Sequence, residues 1–191
     1  MATADRKFHC YDLSGGLQRR IASYASGMDY QIRCVSIFRD KKGFAAGSIE
    51  GRVAIEYFDE MDKKLPNPKK FMFKCHRIKR NPQGGGASPC DIYGVNAISF
   101  TANNTFATGG SDGNMVVWDK DNRSRVENFN SFERKTTIST LTFNPMSNLL
   151  FYACSYDWSM GQNHPLRSSP NQIMIHSVLP QEIKPSPKGK K

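Results

Sequence analysis

Internal repetition constrains this chain more than any other feature. Three runs of alternating apolar residues each end in phenylalanine: RCVSIF from Arg33 to Phe38, VNAISF from Val95 to Phe100, and ISTLTF from Ile138 to Phe143. Period-two alternation is the pattern of a half-buried strand. After a short turn, each run is followed by a second that leads into small residues: FAAGSIEGRVAIEYFD from Phe44, FATGGSDGNMVVWDKD from Phe106 and FYACSYDW from Phe151. A truncated copy, ATADRKFHCYDL, starts at Ala2. Phe100 and Phe143 are 43 residues apart and Asp5 and Glu50 are 45 apart. Phe38 and Phe100 are separated by 62, one unit of the same size plus an insertion between Asp59 and Ile92.

A period of about 40–45 residues built from short strands marks the blade of a WD-type β-propeller. The turn chemistry agrees. Glu50-Gly51 and Ser111-Asp112-Gly113 are acidic-glycine turns that reverse a strand into its antiparallel neighbour, because glycine takes positive φ without steric cost. VAIEYF and MVVWD, which follow them, carry the β-branched and aromatic residues that pack between blades. No stretch shows a helical period of comparable strength. The repeat divides the chain into the end of a partial blade and a connector (1–31), a blade (32–78) with a basic insertion beginning near 59, and a Gly/Pro-rich loop (79–92). A second blade (93–130), a last blade (131–178) with a loop at 158–171, and a basic disordered tail (179–191) complete the division. That is about three and a half blades, whereas propellers close with roughly 4–8. The expectation is therefore an all-β WD40 β-propeller, the C-terminal half of a seven-bladed ring, which requires a missing N-terminal half for closure.

Composition narrows the function. The 191 residues are 38% hydrophobic and include 12 Phe and 7 Tyr, enough for a packed core. Lys and Arg outnumber Asp and Glu by 27 to 17, a net charge of +10 that favours acidic protein segments or nucleic-acid phosphates as partners. No apolar run approaches the ~20 residues of a membrane span, so membrane insertion is not expected, and the start lacks the layout of a secretory signal. The five cysteines, Cys10, Cys34, Cys75, Cys90 and Cys154, are widely spaced with no C-x-x-C pair. They read as buried or free thiols of a reducing compartment, with no metal or cofactor implied. There is no Gly-rich phosphate loop and no G-x-S-x-G elbow, and the carboxylates sit in turns where Asp serves structure, so an enzyme is not expected.

Particular residues add a family likeness. GSIEGRVAIEY (Gly47 to Tyr57), FMFKCHR (Phe71 to Arg77), DIYGVNAISF (Asp91 to Phe100), ATGGSDGNMVVWDKD (Ala107 to Asp121) and SYDW (Ser155 to Trp158) resemble the C-terminal half of the mRNA-export-factor propellers, the rae-one/gle-two group. The likeness runs from Ala2 to the Lys-rich end. EGRVA and FKCHR are shared with the sister group, the bub-three spindle-checkpoint propellers. Trp118-Asp119-Lys120-Asp121 and Ser155 to Trp158 resemble the export branch. Glu56-Tyr57 and Asn96 to Phe100, with Gly109 to Gly113, resemble the checkpoint branch.

The resemblance implies a non-enzymatic adaptor of the nucleus and nuclear pore complex, with some cytoplasmic protein. It would dock a GLEBS-type segment of a nucleoporin, or of checkpoint kinases in the sister branch, across the top of the propeller. Arg52 would meet the segment's acidic pair, Phe73 and Trp118 would be aromatic anchors, and Arg123 and Arg125 would complete a basic patch. Arginine forks match carboxylates in bidentate geometry, and aromatics dominate interface energetics. Each has a plainer alternative. Arg52 and the pair Arg123 and Arg125 fit solvated connections, one of Phe71 and Phe73 belongs to the core, and Trp118 occupies the structural tryptophan place of a repeat.

A second basic feature, read from the residues themselves, is the insertion. Lys63, Lys64, Lys69, Lys70, Lys74, Arg77, Lys79 and Arg80 place eight cations within eighteen residues, interleaved with Phe71, Phe73 and His76. Such a surface can neutralise phosphates and stack bases of mRNA. The competing reading is a solvated loop between Pro66-Asn67-Pro68 and Gly84-Gly85-Gly86.

Overall fold

The computed structural model describes residues 1–14, 20–58, 70–81, 88–129, 136–159, 161–163, 165–168 and 170–185. Among them the chain forms fifteen strands in five antiparallel sheets. The first sheet pairs β1 (Lys7–Tyr11) with β2 (Arg20–Ala25). A four-stranded sheet follows in sequence order, β3 (Ile32–Ile37), β4 (Gly43–Ser48), β5 (Arg52–Tyr57) and β6 (Phe71–Lys74). A small hairpin of β7 (Arg77–Lys79) and β8 (Cys90–Ile92) lies within the stretch where a loop was expected. The second four-stranded sheet is β9 (Val95–Phe100), β10 (Thr105–Gly110), β11 (Met115–Asp119) and β12 (Ser124–Phe129). The last sheet has three strands, β13 (Ile138–Phe143), β14 (Leu149–Cys154) and β15 (Gln172–Ser177). One helical turn, α1 (Pro180–Ile183), packs against β12, with Ile183 buried in a stretch expected to be a tail.

The core is layered between successive sheets. Phe8, Met28, Phe44 and Ala54 fill the space between the first sheet and β3–β6, with the Phe8 and Phe44 rings 4.8 Å apart edge to face. Phe38, Ile55, Val95 and Phe106 fill the next layer, and Val117, Phe129, Leu141 and Leu150 the third. The first strands β3, β9 and β13 lie side by side. This is the architecture of β-propeller blades, in which each sheet buries both faces against its neighbours.

The second strands explain why the repeat keeps small residues. Every residue of β4 (GFAAGS) and β10 (TFATGG) is buried. A Cβ on Gly47 would lie 2.7 Å from the Val95 side chain, and one on Gly109 2.6 Å from that of Ile138. Small residues there let adjacent sheets approach to core packing distance.

Candidate functional site

Strand order sets where each side chain emerges. In a four-stranded antiparallel sheet, the first and third turns lie at one end and the second at the other. On the lower face the β9–β10 turn reaches the β3–β4 turn through Asn104, whose side chain accepts from Arg39 N at 3.1 Å and donates to Asp40 at 2.7 Å. Lys120, in the β11–β12 turn, joins them with its Nζ 5.0 Å above the Phe38 ring and 3.9 Å from Asp40. The upper face carries the β4–β5 and β10–β11 turns and the segments leading into β7, β9 and β13. There Ser111 N donates to Gly94 O at 3.0 Å, Cys75 N to Gly51 O at 2.9 Å, and Thr137 Oγ1 to Ser111 O at 3.3 Å.

Arg52 opens β5 and therefore belongs to the upper face. Its Nε is 2.9 Å from Glu50 Oε2, and the Glu50 side chain is only 10% exposed against 30% for Arg52. Arg52 Nη1 lies 3.7 Å from the Met72 sulfur. The nearly buried Glu50 carboxylate thus forms an ion pair with the guanidinium at Nε, while Nη1 faces the Met72 sulfur on β6. Beside it Arg77 Nη2 donates to Glu50 O at 2.9 Å, so two arginines share one turn.

Phe73, Trp118 and Arg123 come together elsewhere. The Phe73 and Trp118 rings lie 4.8 Å apart, half-buried in the layer between the two four-stranded sheets. The Arg123 guanidinium sits 4.6 Å over the ring of Phe71, next to Phe73 on β6. Arg123 belongs to the β11–β12 turn of the lower face, and Arg125, paired with Trp118 across β11 and β12, is exposed on the outer strand. Arg52 lies opposite Lys74 and Phe71 opposite Ile55, three residues along the sheet, or about 10 Å at ~3.3 Å per residue. The single patch expected from sequence is therefore two features: Arg52 on the upper face, and an aromatic and cationic seam running toward the lower one. Arg52 begins β5, just after the β4–β5 turn, whereas Arg123 follows β11 in the β11–β12 turn at the opposite end.

Trp118 also has a structural duty that links it to His76. Its Nε1–H donates to Thr108 Oγ1 at 2.9 Å, Thr108 bonds His76 Nε2 at 2.9 Å, and His76 Nδ1 is 2.8 Å from Asp112 Oδ1. Tryptophan can only donate, so the Thr108 oxygen accepts from it. The Thr108 hydroxyl also lies 3.4 Å from Val116 O, and His76 bridges Thr108 and Asp112 through its two ring nitrogens. Burial alone would raise the Asp112 carboxyl, but His76 and Asn114 as hydrogen-bond partners hold it below the usual carboxylate range. The network is buried and fixes the segment after β6 to the β10–β11 turn, which holds the upper face rigid.

Of the basic insertion, Lys63, Lys64 and Lys69 lie outside the described residues. Lys70, Lys74 and Lys79 are exposed, Arg77 is engaged with Glu50 O, and Arg80 pairs with Asp91 at 2.6 Å. Among the described residues, no three His, Cys, Asp or Glu side chains converge as a metal site.

Comparison with known proteins fits this geometry. Residues 90–119, from β8 through β11, match the family model described as WD domain, G-beta repeat. The chain is 42% identical over 194 residues to the mRNA export factor of Danio rerio, covering 97% of this chain and 49% of that protein. It is 40% identical to the poly(A)+ RNA export protein of Schizosaccharomyces pombe, covering 98% and 50%. To the mitotic checkpoint protein bub3 of Dictyostelium discoideum it is 38% identical over 190 residues, covering 96% and 51%. The chain belongs to the WD-repeat family of the mRNA export factors and bub3. This WD-repeat chain spans about half the length of the curated relatives it matches.

Proposed function

We propose that this chain is a non-enzymatic adaptor in mRNA export, acting in the nucleus at the pore by docking an acidic GLEBS-like segment of a nucleoporin on its upper face. The observation that carries the reading is Arg52. The sheet presents it at a turn, 30% exposed, and the ion pair to the nearly buried Glu50 orients it. A partly exposed guanidinium held in place at one nitrogen suits a ligand carboxylate. Identity of 40–42% to proteins named for mRNA and poly(A)+ RNA export supports the branch.

In this reading Phe73, Trp118, Arg123 and Arg125 contact a different portion of the partner from Arg52, or a different partner. The exposed Lys70, Lys74 and Lys79 offer mRNA a salt-sensitive, non-specific surface. A checkpoint adaptor that binds checkpoint kinases is the second reading, favoured by the 38% identity to bub3.

The test is capture of a GLEBS segment of a nucleoporin by the immobilised chain. Arg52→Glu is expected to abolish capture while RNA retention at low salt stays nearly unchanged. Undiminished capture by that variant would remove Arg52 from the interface, and preferential capture of a checkpoint-kinase segment would move the chain to the second reading.

A further inference from the structure

The upper face carries an aromatic residue that the docking reading leaves unused. Trp158, in the loop after β14, is 59% exposed and holds a left-handed φ of +60°, an unfavourable backbone for a bulky residue. The loop around it is built to keep it there. Tyr156 is buried with its ring 5.6 Å from the Trp158 ring, and its hydroxyl donates to Gly161 O at 2.7 Å. Gly161 N donates back to Trp158 O at 3.0 Å. Asp157 accepts from Ser111 Oγ at 2.6 Å and from Ser159 N at 3.1 Å, which ties the loop to the β10–β11 turn of the neighbouring sheet. Strain held in place from beneath, with an exposed side chain above, is typical of functional surfaces.

A path leads from Trp158 to Arg52. Asp157 is close enough to feel the charge of the exposed Arg33. The Arg33 side chain and the Cα of Ile49, a residue 40% exposed and next to Glu50, both lie against the same side of Gly94. Trp158 of the last sheet thus shares the upper face with Arg33, Ile49 and Arg52 of the β3–β6 sheet, two apolar residues and two cations. Trp118 differs in kind, because its indole N–H is already spent on Thr108. Among the described residues the indole N–H of Trp158 meets no acceptor.

We propose that Trp158 and Ile49 are the apolar anchors of the upper face, receiving aliphatic side chains of an extended acidic peptide whose carboxylates meet Arg33 and Arg52. The inference rests on the docking reading and names further residues of that site. Charged and apolar groups together on a rigid surface suit an extended chain, whose side chains fall at regular intervals. A peptide is favoured over nucleic acid because the exposed aliphatic side chain of Ile49 separates the cations, and a phosphate backbone gains nothing from it.

A fluorescein-labelled GLEBS segment of a nucleoporin tests this with the full chain, read by anisotropy and by tryptophan emission. Binding should shift emission to the blue, since Trp158 is the exposed one of two tryptophans. Trp158→Asn, which suits a left-handed backbone and preserves the loop, should weaken binding about 30-fold, as a central aromatic anchor does. It should also remove the emission shift while leaving the urea midpoint unchanged. Wild-type affinity in Trp158→Asn with no emission change would overturn the anchors and leave docking standing, whereas absence of any binding to the wild type would overturn both. Displacement of the segment by poly(A), with quenching of Trp158, would reassign the surface to nucleic acid and overturn the proposal.

Discussion

Replacing Thr108 by valine isolates the buried network beneath the upper face. The substitution keeps side-chain size and removes one hydroxyl that serves three neighbours. Trp118 Nε1–H loses its acceptor and His76 Nε2 its hydrogen-bond partner, at a site where Thr108 and the His76 side chain are fully buried. A buried polar group left without a partner costs about 1–3 kcal/mol, so two orphaned groups cost about 2–6 kcal/mol. Set against a typical domain stability of about 5–15 kcal/mol, that is a large fraction. The assay is urea unfolding followed by tryptophan emission. With a slope of about 2 kcal/mol per molar, the midpoint should fall by about 1–3 M. Thr142→Val, on the exposed side of β13, is the matched control and should stay within about 0.5 kcal/mol. A Thr108→Val midpoint within about 0.3 M of wild type would refute the reasoning, because it would mean that the hydroxyl was not satisfying buried groups.

Other outcomes follow from the same structure. Asp112, Asp157 and Asp40 are held below the usual carboxylate range, against the opposing effect of burial, by hydrogen bonds and by nearby cationic or histidine side chains. Their folded pKa values lie under the unfolded value of about 3.9, so their stabilisation is complete above about pH 4 and is lost as pH falls through the folded values. Urea midpoints should therefore drop below pH 4, and Asp112→Asn should lessen that drop; an identical decline in the variant would count against the assignment. Gly51 has φ +62°, and a Cβ there would lie 2.7 Å from Cys75 O, so Gly51→Ala should lower the urea midpoint by more than the ~1 kcal/mol of a strained φ alone. Burial pushes the Cys34 thiol up to about 12 and raises that of Cys75 still further, whereas Cys90 is exposed. Iodoacetamide at pH 8 should label Cys90 first, with mass spectrometry finding Cys34 and Cys75 labelled only after unfolding.

Much of the fold is local and so was legible. The alternating runs ending in Phe38, Phe100 and Phe143 became β3, β9 and β13, and the turns at Gly51 and Gly113 have the positive φ that their glycines implied. Relations between distant residues were harder to see. Asp112 reads as a turn residue and is one, but it also holds His76, 36 positions away, and no local pattern joins them. Nothing in the local sequence FKCHR marks a turn, whereas His76 follows β6 with φ +47° and has its ring buried. The candidate site suffered most from parity. Residues from both ends of the sheets were grouped by family resemblance, and only strand direction separates Arg52 from Arg123. Trp158 went unweighed because exposure and backbone strain are not written in a motif.

The central claim is that an acidic segment lies across the upper face through Arg52. Hydrogen exchange of the chain with and without a GLEBS segment measures this directly. The expected result is protection of residues 49–52, 93–94 and 155–159, with little change at 120–125. Protection confined to 71–73 and 118–125, with the β4–β5 turn unaffected, would contradict the account and place the docking site on the aromatic seam instead.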